Sequence, residues 1–172
     1  GHGRPDRRIL YARGRLTVWT PGSPIETLND LQHPQFERIA LANPDHAPYG
    51  LAAKEALITE DLWEKLQPRI VFGNNILDTL RIARSGNADA AVIALSLALA
   101  ETRGSWIILD EHLHQPIDQA VMVSSHSRHP EAAWKFIETM NSPAGRAIMR
   151  RYGFVLPGEA LDVSQMPDQG NE

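Results

Sequence analysis

The spacing of apolar positions changes repeatedly along this chain, and each change marks an element. GRLTVWT, from Gly14 to Thr20, alternates and is rich in β-forming residues, so it predicts a strand. PGSP at Pro21–Pro24 breaks it. ETLNDL (Glu26–Leu31) predicts a short helix, and RIALANP (Arg38–Pro44) a buried strand ending in a turn. Leu51, Ala53, Leu57 and Leu62 recur at helical spacing, which predicts one helix over Gly50–Leu66. RIVFG (Arg69–Gly73) is the next expected strand. Ile76, Leu80 and Ala83 predict a helix over Asn75–Gly86, with Gly86 closing it. ADAAVIAL (Ala88–Leu95), small and apolar throughout, reads as a strand covered on both faces.

The middle of the chain therefore reads strand–helix–strand–helix–strand, the pattern of an α/β fold with a mostly parallel sheet flanked by helices. SWIILD (Ser105–Asp110) and IDQAVMV (Ile117–Val123) add two strands. After Ser127 the pattern becomes two helices. One has Pro130 at its start, where a missing N–H costs nothing; the other starts at Ser142–Pro143 and stops at Gly153. The closing SQMPDQGNE is polar and is expected to lack order.

Composition narrows the function classes. The chain has 172 residues, 42% of them hydrophobic and 22% charged, in the ordinary range for a globular protein. A net charge of -4 with scattered basic residues argues against nucleic acid as a partner. With no cysteine, disulfides, thiolate metal sites and cysteine nucleophiles are excluded. The longest apolar run, Ala88–Ala100, holds Asp89 and Ser96 and is too short to span a bilayer. No signal peptide is visible, and the opening GHG is read as an expression remnant, so His2 is left out of the chemistry.

The candidate chemistry lies in two strand-to-helix turns. Ligands of open α/β sheets bind beyond the carboxyl ends of the strands. NPDHAPYG, ahead of Leu51, and FGNNI, ahead of the helix to Gly86, both lie there. A helix start leaves backbone N–H groups unpaired and carries partial positive charge, so two together can grip an oxyanion without a basic residue. Neither turn contains lysine or arginine; they offer backbone, the Tyr49 phenol and the Asn74 and Asn75 amides. They also suit ordinary turns capped by Asn74 or Asn75, with the Tyr49 ring packed on the surface. His112 and His114 in HLH would share one face of a strand, a spacing that metals use, but the segment reads as a loop and no third ligand stands nearby. His126 and His129 read as solvated surface, His46 as a turn residue bonding to backbone, and Glu60–Asp61 as a solvated pair. Ser96 lacks a nucleophile elbow and is expected to cap the next helix. No enzyme is expected, and no catalytic residue is assigned.

Four stretches carry a resemblance: GRLTVWT, IALANPDHAPYGLAAKEAL, LWEKLQPRIVFGNNILDTLRIARSGNADAAVIALS and HPEAAWKFIETMNSPAGRAIMRRYGFVLP. In order and spacing, from Tyr11 to Pro157, they resemble the periplasmic molybdate-binding proteins of ABC transporters. The resemblance implies two α/β lobes closing on one tetrahedral oxyanion, molybdate or tungstate, held by neutral hydrogen bonds. It implies anion contacts at Tyr49 and at the Ile76 backbone N–H, with Asn75 beside it. Some relatives carry a tyrosine where this chain has Ala94; Tyr49 is expected to replace that phenol. The resemblance further implies a periplasmic location, an ABC transporter membrane permease as partner, no cofactor, and no metal beyond that of the oxyanion itself.

On this reading residues 1–16 are crossover and remnant of a first lobe, 17–115 the anion-binding second lobe, 116–157 a return strand and C-terminal helices of an incomplete first lobe, and 158–172 a flexible tail. The serine-bearing turns that open the family's first lobe are not found ahead of RRILYARGRL. Half of the binding shell is therefore expected to be missing and affinity to be weakened. Trp134, Phe136, Ile137, Ile148 and Met149 are expected to be partly bare, so that the helices re-dock on their own lobe or exchange in a homodimer. The alternative reading is a non-binding fragment with a structural or oligomeric role.

Overall fold

The computed structural model describes residues 8–160. The chain enters through β1 (Ile9–Gly14) and passes Arg15 into β2 (Leu16–Thr20). A 3-10 turn over Leu28–Gln32 leads to β3 (Ile39–Ala42), α1 (Pro48–Thr59) and the short α2 (Trp63–Leu66). Then come β4 (Ile70–Gly73), α3 (Ile76–Arg84), β5 (Ala90–Ala94), the single turn α4 (Leu95–Ala98) and β6 (Ser105–Ile108). β7 (Ile117–Val121), α5 (Pro130–Met140) and α6 (Pro143–Arg151) complete the described elements.

The five-stranded sheet has the order β4-β3-β5-β2-β6. β3 is parallel to β4 and β5, whereas β2 is antiparallel to β5 and β6. The sheet is therefore mixed, parallel in the half served by helical crossovers and antiparallel around the strand that enters from β1. β1 pairs with β7 in a separate antiparallel ribbon.

Period-two alternation sorts the strand residues onto two faces. Leu16, Val18, Ile39, Leu41 and Val92 join Ala52, Ala53, Ala56 and Leu57 of α1 in one core cluster. Trp19, Ala40, Ala91 and Ile93 join Leu80 and Ala83 of α3 in the other. α1 and α3 thus cover opposite faces. The alanines at these contacts let the helix backbones approach the sheet closely.

The single helix expected over Gly50–Leu66 is two. α1 begins at Pro48, two residues earlier, and breaks after Thr59. Asp61 adopts φ 55, the Asp61 N–H bonds the Ile58 carbonyl at 3.0 Å, and the Leu62 N–H reaches back to Leu57 O at 2.8 Å. This is a Schellman closure with aspartate where glycine is usual. Leu57 and Leu62 are fully buried. Their contact seals the closure, and for that reason the apolar spacing runs on across a helix end. Gly86, at φ 75, closes α3 in the same way, as expected.

The C-terminal helices are only partly bare. Phe136 and Ile148 are 63% and 60% exposed, while Ile137 is 4% exposed, in the contact of α5 with the rest of the chain. After α6 the chain turns at Gly153 against Leu95 and Leu99, and Val155 bridges Arg13 of β1. Glu159 is tied to Arg146 and Arg150, at 2.6 and 2.8 Å. SQMPDQGNE and the opening GHG lie outside the described residues.

Candidate functional site

β3 and β4 lie side by side and parallel, with Ala42 opposite Gly73 at their carboxyl ends. The helices that follow them leave toward opposite faces, so the crevice between these strand ends is a topological switch point. The Asn43 N–H donates to Gly73 O at 2.9 Å, and His46 Nε2 lies 3.1 Å from Asn74 O, stitching the two turns together. The starts of α1 and α3 therefore share one edge although the helices occupy different faces. His46 plays the backbone-bonding part expected of it.

α1 has Ala47 at its N-cap, with no side chain to accept from the first turn, and Pro48 follows. Leu51 N–H is taken by Ala47 O, but the N–H groups of Tyr49 and Gly50 have no acceptor among the described residues. Gly50 fits for a steric reason. A Cβ there would overlap Ala42 O and come within 2.7 Å of Ala42 C, so only glycine brings the helix start so close to the end of β3.

α3 is capped by Asn75, whose Oδ1 accepts from Leu77 N at 3.1 Å and Asp78 N at 3.0 Å. Asn74 does not cap. Its N–H and Nδ2 instead donate to Asp78 Oδ2, at 2.9 and 3.1 Å. The Ile76 N–H has no acceptor among the described residues, and the Asn75 Nδ2 remains available as a donor.

The Tyr49 ring packs against the core cluster on the α1 face, and its hydroxyl reaches the backbone at Gly14, where β1 passes into β2. Gly14 stands two residues before Leu16, the strand partner of Ala94. The phenol thus reaches toward the strand end that carries Ala94. Burial, with Tyr11 adding to it, pushes the phenol's pKa up to about 12, so it stays a neutral donor at any physiological pH.

The remaining candidates separate. His112 is exposed in a 3-10 turn over Glu111–Leu113, while His114 is buried, with Nδ1 2.8 Å from Gln115 O. The segment is a turn, as expected, and no group of three metal-ligating side chains occurs among the described residues. Ser96 lies inside α4, whose N-cap is Ala94, so it caps nothing. No helix among the described residues is long and apolar enough to cross a membrane. The sequence reading missed Ala47 and Gly50. A cap position without a cap, and a glycine inside the first helical turn, were the available signals.

Comparison with known proteins identifies the family and the fold. The family model for bacterial extracellular solute-binding proteins matches residues 1–155. The molybdate-binding protein ModA of Rhodobacter capsulatus is 28% identical over 156 residues, 90% of this chain and 62% of the relative. ModA of Azotobacter vinelandii is 29% identical over 154 residues, 87% of this chain and 61% of the relative. The chain thus spans about three fifths of the length of these curated relatives. Among solved structures, the periplasmic molybdate-binding protein of Azotobacter vinelandii superposes with a TM-score of 0.83 at 32% identity, covering 91% of this chain and 71% of that one. With a matching family model over most of its length and the mixed α/β sheet of these neighbours, the chain belongs to the bacterial extracellular solute-binding protein family.

Proposed function

We propose that this chain binds a tetrahedral oxyanion, molybdate or tungstate, at the crevice between the starts of α1 and α3, and serves its delivery to an ABC transporter permease in the periplasm. The observation that carries the reading is the pair of adjacent helix starts at a switch point, with the amides of Tyr49, Gly50 and Ile76 lacking internal acceptors. The helix dipoles place partial positive charge there, and no lysine or arginine stands in either turn. The Tyr49 hydroxyl and the Asn75 Nδ2 add neutral donors. Similarity to molybdate-binding relatives favours molybdate or tungstate over other anions. Nothing in this role calls for a reaction or a resident cofactor.

On this reading the donors named here come from the two turns alone. An anion bound by them alone keeps its other side in water, and each charge-assisted hydrogen bond forgone is worth about 1.5–3 kcal/mol. The isolated chain should therefore bind weakly, with selectivity over sulfate reduced because size discrimination needs an enclosing shell. Calorimetric titration with molybdate, tungstate and sulfate tests this. Heat from the first two with a weaker sulfate response supports the reading; flat traces for all three sink it. The exposed Phe136 and Ile148 favour a second reading, a structural or oligomeric role in which helices exchange between copies. Flat traces together with a dimer in light scattering would select it.

A further inference from the structure

Gly14 is the last residue of β1, where its Cα is registered with Ile117 of β7. Its φ is not in the left-handed region, which among the described glycines is occupied by Gly86, Gly104, Gly153 and Gly158. Backbone conformation therefore does not require glycine here. A glycine in paired strand backbone often marks the close approach of a second group. That group is Tyr49. A Cβ at position 14 would overlap the Tyr49 hydroxyl, fall 2.9 Å from Cζ and 3.5 Å from Cε1. The ring is packed against the core cluster, so it cannot retreat inward.

We propose that Gly14 is a positioning residue for the anion site: by lacking a side chain it gives the Tyr49 hydroxyl its place, and so ties the phenol to the β1–β7 ribbon. This rests on the oxyanion reading for its consequence, but the positioning itself can be measured separately. Any side chain at position 14 must displace the phenol, because the added Cβ takes the place of the hydroxyl. Gly14 touches no anion itself; it acts through Tyr49.

The test is a double-mutant cycle with molybdate titrated by calorimetry, joined to fluorine NMR of 3-fluorotyrosine placed at position 49. G14A should weaken molybdate binding about tenfold, comparable to losing one hydrogen bond to a charged ligand. In a Y49F background no hydroxyl remains to be displaced, although ring Cζ still lies 2.9 Å from the added methyl, and the same change should cost less than about threefold. G22A, whose added methyl meets nothing within 4 Å, should bind as the parent does. The fluorine resonance should move in G14A and stay in G22A. Parent-like affinity in G14A, or an equal loss in both backgrounds, overturns the proposal. Should the parent chain bind no oxyanion, the functional reading falls. The fluorine signal then decides the positioning alone: a shift in G14A sustains it, and an unmoved resonance overturns it. Should G14A fail to fold, a double variant with Y49L, which removes both the hydroxyl and Cζ, decides: recovery of folding supports the steric link and equal loss refutes it.

Discussion

The starts of α1 and α3 sit side by side at one sheet edge, yet they treat their first amides in opposite ways. α3 carries its own acceptor: Asn75 turns its Oδ1 onto Leu77 and Asp78, and Asp78 collects the donors of Asn74. α1 has alanine at the same position, with proline next, and leaves Tyr49 and Gly50 unanswered. The first start is largely complete by itself. The α1 start has no such acceptor among the described residues; on the oxyanion reading proposed above, the anion supplies it. Capping contributes about 1 kcal/mol to a helix, so its omission at α1 is a measurable sacrifice of stability, of the kind that binding sites make.

The contrast can be attacked at its strongest point first. Gly50→Ala forces a methyl into the Ala42 carbonyl, a backbone group that cannot swing aside. It should lower stability by about 3 kcal/mol in chemical denaturation, because α1 must lift off β3. Tyr49→Phe leaves the fold in place and removes one donor, so calorimetry should show molybdate affinity reduced by about 1–2 kcal/mol. Unchanged affinity would confine Tyr49 to its backbone N–H. Ala47→Ser sharpens the comparison directly, since the backbone at Ala47, φ -111 and ψ 118, is already that of a cap. The hydroxyl should stabilise the protein by up to about 1 kcal/mol and weaken anion binding, because it competes for the same amides. Asn75→Ala should do the reverse to stability, lowering the melting midpoint by an amount worth about 1 kcal/mol.

The smallest effect at neutral pH is alkaline. Tyr49 has its folded-state pKa raised from 10.0 to about 12, so its contribution is fully present below pH 10 and is lost as pH rises through 12. Denaturation midpoints should fall over that window in the parent chain and fall less in Tyr49→Phe.

Much of this was legible in the residues. From β2 to α6 the order of strands and longer helices followed from apolar spacing, though β1 and α4 went unread, and Gly86 marked the end of α3. An asparagine ahead of α3 announced its cap, leaving open only which of two did the work. Other features were hidden. Leu62 continues a helical pattern, yet it seals a Schellman closure; apolar spacing looks the same whether a buried leucine lies within a helix or folds back on its end. The exposure of Phe136 beside a buried Ile137 depends on which face of α5 meets the chain, and periodicity alone does not identify the neighbour.

By itself the sequence determined most of the elements from Leu16 onward, the two helix starts poor in basic residues, and the lack of cysteine chemistry, because these rest on local spacing and residue type; β1 and the single turn α4 were not among them. Only the tertiary structure decided that those starts meet at one edge, that β2 turns the sheet antiparallel, and that Gly14 makes room for the Tyr49 hydroxyl. Such contacts join residues far apart in the chain. They follow from the order in which strands pair and from the faces to which helices are sent, and neither leaves a mark in any short stretch.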